Sequence, residues 1–302
     1  HYITSGCTFK PIGNSAKLEY IVMVEGEDEV ALDVASVLSI SLSQIKTLYD
    51  EKYDKANFIK NIILDNILPG DIYIKSKELR FDAEVNRSAI LIRFADVGDI
   101  VIQNMFPDKG HDYVISVGES DIVLIKELKS ANEPKVLESI AKSIVDTIQT
   151  EFFLKVTIGI GSVVGTVKEL ARSYKDAQVA LEVGKVFDTE KTVINYENLG
   201  IGRLIYQLPT TLCEMFLSEV FKRGSLESLD RETLQTIHSF FDNNLNVSET
   251  SRKLFVHRNT LVYRLEKIKK ITGLDLREFD HAITFKVALM VKKYLSSKPQ
   301  MY

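Results

Sequence analysis

Cysteine is scarce in this chain: Cys7 and Cys213 are the only two in 302 residues, and they lie far apart. That argues against a disulfide framework and leaves no thiol pair for a metal site. No run approaches the roughly 18 apolar residues of a membrane span, so no membrane contact is expected. The start lacks the charged and apolar regions of a secretory leader. It opens at His1 rather than methionine, which reads as a piece or a processed form of something longer. Internal repeats and low-complexity tracts are missing too. These absences point to a cytoplasmic protein that needs neither metal nor cofactor.

Positive charge is also short overall, with a formal net charge of -4, which by itself argues against a nucleic-acid protein. Its distribution says more. Residues 231–302 hold 13 Lys/Arg and 7 Asp/Glu, a net of +6, while the rest holds 25 and 35, a net of -10. A basic end on an acidic body suits a small DNA-binding module attached to another domain. A solvated charged surface is the plainer explanation, and charge alone does not decide between them.

What is present has an order. Tyr20–Val24 is a short apolar strand, Gly26 and Asp28 form a turn, and Glu29–Leu48 is a helix with Val30, Val34, Val37, Leu38, Ile45 and Leu48 at helical spacing. A complete domain of about 50 residues would have little core, so residues 1–50 read as the remnant of a sensory input domain. Asp54 is expected to cap a second helix through Leu64, and Asp71 another from Ile72 to Leu79, so that residues 51–84 form a helical connector. Ser88–Phe94 is a buried strand. Asp99–Phe106 is a helix or a strand. Tyr113–Val117 and Ile122–Ile125 flank Gly118-Glu-Ser-Asp121 as a hairpin. Pro134 opens a helix to about Phe153, Val156–Ile160 is a strand, Val167–Val186 an alanine-rich helix and Val193–Tyr196 a last strand. From Ile201 onward the chain is helical, with helices at Thr211–Phe221 and Leu229–Phe241.

The stretch that carries function runs from Asn246 to Gly273. Ser248 is the expected cap of a short helix ending at Leu254, Phe255-Val-His257 makes a turn, and Arg258 opens a longer helix closed by Gly273. Two helices joined by three or four residues make a helix-turn-helix. Leu254, Val256, Leu261, Leu265 and Ile268 fall on one side as a core, and the small Ser251 sits where the helices would cross. The first turn of such a second helix reaches base edges. Arg258 suits guanine and Asn259 adenine, by paired hydrogen bonds. Thr260, Tyr263, Arg264 and Lys267 are placed for phosphates. Alternatives stand beside these roles. His257 either contacts DNA or caps the turn, Asn259 either reads a base or faces solvent, and Arg264 pairs either with phosphate or with Glu266 or the domain body.

The segment Phe240-Phe-Asp-Asn-Asn-Leu-Asn-Val-Ser-Glu-Thr-Ser-Arg-Lys-Leu-Phe-Val-His-Arg-Asn-Thr-Leu-Val-Tyr-Arg-Leu-Glu-Lys-Ile268 resembles the C-terminal helix-turn-helix of the sugar diacid and purine catabolism regulators, a family of bacterial transcription factors. Thr272–Leu289 is similar to that family as well. Ser251 stands where the family commonly has alanine. Val156-Thr-Ile-Gly-Ile-Gly-Ser162 and Leu170-Ala-Arg-Ser-Tyr-Lys-Asp-Ala-Gln-Val-Ala-Leu181 resemble its middle domain, a relative of the diguanylate cyclase fold. The resemblance covers roughly residues 85–302.

It implies an α+β chain: a mixed α/β cyclase-like domain at 85–200, then an all-α domain at 201–302 with the helix-turn-helix at 246–273, preceded by the partial α/β sensory segment. It implies double-stranded DNA as partner, a homodimer, and a small effector such as a sugar diacid. His257, Arg258, Asn259, Thr260, Tyr263, Arg264 and Lys267 are then the DNA-contacting residues. Catalysis is not expected. Active cyclases carry a Gly-Gly-Asp/Glu-Glu-Phe turn, whereas the matching hairpin reads Val117-Gly-Glu-Ser-Asp-Ile122. The strand Ile90–Phe94 has arginine and no aspartate where a Mg²⁺ ligand is wanted, and phosphoryl transfer needs such metal ions. The alternative reading is a nucleotide-binding or nucleotide-cyclising enzyme working through the middle domain.

Overall fold

The computed structural model describes residues 2–12, 20–95, 112–130, 134–187, 190–221 and 229–297. The chain divides into two compact units, 1–178 and 179–302. The span 99–106, expected as helix or strand, lies outside the described residues.

The first unit opens with an antiparallel meander of β1 (Tyr2–Thr4), β2 (Cys7–Ile12) and β3 (Tyr20–Glu25). Asp28 then caps α1 (Glu29–Ile63), accepting a hydrogen bond from the Ala31 amide at 2.8 Å. The helix runs unbroken through the expected boundary near residue 50. Neither proline nor glycine interrupts it, so Asp54 sits in mid-helix and caps nothing. A cap needs an extended backbone that a continuous helix does not offer. The apolar residues read at helical spacing are not the covered ones. Ala31 and Ala35 are buried, while Val30, Val34, Val37, Leu38, Ile45 and Leu48 are exposed. By length and composition α1 could cross a bilayer, contrary to the absence of any span expected from the sequence.

Leu68 takes the extended cap conformation for α2 (Pro69–Glu78), and Pro69 is its first helical residue. Asp71 lies within the first turn and is not the cap, because proline at that position already sets the helical φ.

Four strands of this unit follow the order β5 (Tyr113–Ser116), β6 (Asp121–Glu127), β4 (Arg87–Phe94) and β7 (Val156–Ile160), each pair antiparallel. β4 is central, with Ile90 paired to both Leu124 and Ile160. Its run Ala89–Ile92 is fully buried, which explains a continuous apolar pattern in place of alternation. α3 (Pro134–Glu151) joins β6 to β7 and packs on β7, and a 3-10 turn (Val167–Glu169) leads into α4 (Leu170–Phe187).

β7 and α4 approach closely at Gly161. A Cβ there would lie 1.9 Å from the Ser173 carbonyl oxygen. The buried Ser173 hydroxyl bonds both sides of this contact, donating to Ser162 O at 2.6 Å and accepting from the Ala89 amide at 2.9 Å.

The second unit contains β8 (Val193–Asn195), α5 (Ile201–Gln207), α6 (Thr210–Val220), α7 (Arg231–Asp242), α8 (Val247–Lys253), α9 (Arg258–Thr272) and α10 (Phe279–Ser297). Its apolar residues form two clusters. Ile237, Phe240, Leu261, Leu265, Ile268, Leu276 and Phe285 make one. Val186, Ile205, Cys213, Val291 and Tyr294 make the other. α10 contributes Phe285 to the first, and Val291 and Tyr294 to the second, so one helix spans both cores.

Candidate nucleic-acid interface

The helix pair α8 and α9 is built by caps at both ends. Asn246, not Ser248, caps α8: its Oδ1 accepts from the amides of Ser248 at 3.0 Å and Glu249 at 3.1 Å. Asparagine and serine cap about equally well, so position decided this, not residue type. Thr250 and Ser251 are buried, which places the small serine inside the crossing as its size suggested. The connecting turn is tight. Phe255 takes φ +55°, and the Val256 amide donates back to Ser251 O at 3.0 Å.

His257 caps α9, its Nδ1 accepting from the Asn259 amide at 3.2 Å. The capping role for His257 is therefore present in the fold. Gly273 closes the helix at φ 82°, the left-handed conformation favoured by glycine. Leu261, Leu265 and Ile268 are fully buried, and Leu254 and Val256 pack against them, as the spacing predicts.

The opposite side of α9 begins with an exposed group: His257, Arg258, Asn259 and Thr260, followed by Tyr263 one turn on. Arg258 has no ion pair among the described residues. The first four lie at the helix N-terminus, where the orphan amides of the first turn add partial positive charge.

Arg264 and Lys267 are held differently. Arg264 Nη2 donates to Glu232 Oε2 at 2.8 Å and its Nη1 to Thr236 Oγ1 at 3.1 Å. Lys267 Nζ donates to Asp230 Oδ2. Asp230 also caps α7, accepting from the Thr233 amide at 2.7 Å. The hydrogen bond from Lys267, reinforced by Thr233, holds the Asp230 carboxyl well below the usual carboxylate range. The same bond raises the Lys267 ammonium above its ordinary value. Of the two readings for Arg264, the pairing with the domain body is thus the one seen, with Glu232 rather than Glu266. Glu266 is engaged by Arg277. Sequence reading missed Asp230, Glu232 and Thr236 as partners. The signal available was the acidic start of α7, a capping pattern, but nothing local links it to residues 32 to 37 positions downstream.

In the middle domain the start of β6 is tied to β4 by charge. Arg93 on β4 makes a paired interaction with Asp121, Nε to Oδ1 at 2.9 Å and Nη2 to Oδ2 at 2.8 Å. The arginine thus sits on the carboxylate that a metal would require. Glu119 is exposed. Among the described residues no group of three or more His, Cys, Asp or Glu could hold a metal ion.

Comparison with known proteins matches two parts of the chain. Residues 233–291 match the PucR C-terminal helix-turn-helix domain, and residues 66–183 match a GGDEF-like domain. The purine catabolism regulatory protein of Bacillus subtilis is 22% identical over 284 residues, covering 87% of this chain and 53% of that protein. The carbohydrate diacid regulator of Escherichia coli is 33% identical over 140 residues, covering 46% of this chain and 36% of the other. The proline-responsive transcriptional activator of B. subtilis is 26% identical over 186 residues, covering 58% and 44%. The chain spans about half the length, or less, of these relatives.

Proposed function

As a member of the purine catabolism and carbohydrate diacid regulator family, with a GGDEF-like middle domain and a C-terminal helix-turn-helix, the chain is, we propose, a sequence-specific DNA-binding transcriptional regulator. The observation that carries this reading is the exposed group His257, Arg258, Asn259, Thr260 and Tyr263 at the start of a helix whose other side is fully buried. Arg258 and Asn259 offer paired hydrogen bonds to guanine and adenine edges. Thr260, Tyr263 and, on release from their carboxylates, Arg264 and Lys267 hold phosphates and set the register. His257 presents the first turn of α9 and borders the same groove.

One recognition helix covers only a few base pairs, too few for a genomic address, so the regulator works as a homodimer on two half-sites. A small carboxylated metabolite acts as effector, in keeping with the diacid and amino-acid themes in the names of the relatives. Action on chromosomal DNA is in keeping with a cytoplasmic protein. The middle domain serves as scaffold. With Arg93 paired to Asp121, that carboxylate is engaged by a cation rather than open to the Mg²⁺ that phosphoryl transfer needs.

The test is enrichment from a pool of randomised duplexes, followed by titration of the selected and scrambled duplexes at several salt concentrations. Selection of a repeated half-site, with salt-dependent binding, supports the reading. Equal affinity for selected and scrambled duplexes overturns it. A cyclic dinucleotide formed from GTP with Mg²⁺ or Mn²⁺ would favour the enzyme reading instead.

A further inference from the structure

Helix α1 is amphipathic in the reverse of the usual sense. The side turned to the three-stranded sheet is small and polar: Ala31 and Ala35 are buried, Ser36 bonds Lys10, and Ser39 Oγ donates to Pro11 O at 2.5 Å. The side turned away is apolar. Ile45 is 61% and Leu48 67% exposed, and Val34, Leu38 and Tyr49 are exposed as well. From Val34 to Tyr49 the only charged residue is Lys46, which pairs along the helix with Asp50 and lies over the Tyr20 ring. An exposed apolar strip of more than four turns is unusual on a lone chain, and such surfaces mark interfaces.

The spacing of the strip identifies its occupant. Val34, Leu38, Ser41, Ile45 and Leu48 follow one another at intervals of four, three, four and three. That is the 3.5-residue spacing of one helix packed along another, apolar at four positions and small and polar at Ser41. Nothing in the seam repels an identical copy: it carries no charge, and the one flanking lysine has its own carboxylate. A helix with an uncharged apolar stripe fits such a seam, and a second α1 supplies one. A two-fold axis makes the same patch serve on both subunits.

We propose that the apolar side of α1 is the dimerisation surface of this protein, taking a second copy of the same chain along the seam from Val34 to Leu48. This rests on the DNA-binding reading only for the need of two half-sites; the surface itself is independent of it. The site differs from the exposed face of α5 and α6, where Leu204, Leu212 and Met215 are also uncovered but the run is broken at Pro209.

The experiment uses the full chain and reads its mass by analytical ultracentrifugation and light scattering at tens of micromolar. The parent is expected to be a dimer. The double variant Leu38→Glu/Ile45→Glu is expected to weaken dimerisation at least tenfold with an unchanged circular dichroism spectrum, while Leu204→Glu leaves the mass as it was. Ser41 lies at the middle of the seam, so Ser41→Cys in a Cys7→Ser background is expected to cross-link on mild oxidation whether the helices run parallel or antiparallel. A monomeric parent overturns the proposal. So does a dimer that survives the double variant, or one that Leu204→Glu dissociates. Cosedimentation of the parent with phosphatidylglycerol vesicles, abolished by the double variant, would assign the strip to lipid and overturn it as well. A parent that dimerises through this seam yet enriches no duplex would sink the DNA-binding reading and leave the interface standing.

Discussion

Arg264 on α9 reaches back to Glu232 in the first turn of α7, Nη2 to Oε2 at 2.8 Å, and its second nitrogen bonds Thr236 at 3.1 Å. This one side chain fastens the recognition helix to the helix before the motif. Its role in holding α9 can be separated from any role toward DNA. Arg264→Ala is expected to lower stability by about 1–2 kcal/mol, since the buried Thr236 hydroxyl loses a partner. Glu232→Gln should cost less, because an exposed carboxylate gains little from its pair. Arg264→Lys should recover only part, lacking the fork that serves both acceptors. Urea unfolding of the full chain measures all three. If Arg264→Ala unfolds at the same midpoint as the parent, the bridge does not hold the helices.

Base reading and backbone contact should separate by variant. Asn259→Ala is expected to remove preference at one or two operator positions, each worth ~1–3 kcal/mol, while binding to scrambled duplex stays unchanged. Lys267→Ala should weaken both duplexes alike and lower the salt slope by about one. The pairing with Asp230 adds an opposite-sign control. Asp230→Asn keeps a good cap but releases Lys267, and should raise affinity for both duplexes. Fluorescence anisotropy at several salt concentrations checks this. Equal losses on both duplexes for Asn259→Ala would mean that Asn259 reads no base.

Phe255 holds φ +55° and is 96% exposed. A side chain in the left-handed region costs about 1–2 kcal/mol, and this one recovers nothing by burial. Phe255→Gly is expected to leave stability unchanged or raise it by up to about 1 kcal/mol, the relief being partly offset by the greater freedom of unfolded glycine. A loss of more than that in the denaturation midpoint would show that the ring packs on something.

Gly161 and Gly165 should differ sharply. Alanine at Gly161 puts a methyl carbon 1.9 Å from the Ser173 carbonyl oxygen, a backbone atom that cannot step aside without moving α4. Gly161→Ala is expected to cost about 3 kcal/mol or more, at the severe end of overpacking. Alanine at Gly165 meets nothing nearer than Asn86 Oδ1 at 3.8 Å and should be neutral. Melting temperatures of the two variants test the contrast.

Asp275 sets an acid limit on the second unit. Hydrogen bonds from Arg277, with Lys269 adding another, hold its carboxyl well below the usual range, against the opposing effect of burial. Its folded pKa is therefore below the unfolded value of about 3.9. The stabilisation is complete above that unfolded value and is lost as pH falls through the folded one. Asp275→Asn should lower stability at neutral pH and flatten the acid limb of a plot of melting temperature against pH. An acid limb as steep as that of the parent would assign the lability to other carboxylates.

The helix pair was legible because it is made by short-range forces. Leu261, Leu265 and Ile268 recur at the helical period, and Gly273 marks an end that few other residues can form. Both signals lie within a turn or two of the residues they govern. The same reach explains the small errors. Ser248 and Asn246 are equally able caps two residues apart, and only the path of the chain leaving α7, through Asn244 at φ 52° and Leu245 at φ 60°, selects Asn246. The middle sheet was visible as apolar runs, because a central strand such as β4 is covered on both faces.

Periodicity along α1 announced an apolar side without saying what covers it. That depended on a sheet whose first two strands left no clear pattern, and the sheet took the side of Ala31, Ala35 and the serines. Ion pairs are the extreme case. Lys267 read as a phosphate ligand, and Arg264 as either that or a partner of Glu266 or the domain body, yet the carboxylates they meet, Asp230 and Glu232, come from the start of α7, more than thirty residues earlier. Sequence determines period, caps and charge because these act between near neighbours. Which side of a helix is covered, and which charge a cation meets, depends on chain segments brought together only by folding, and tertiary structure alone decided both.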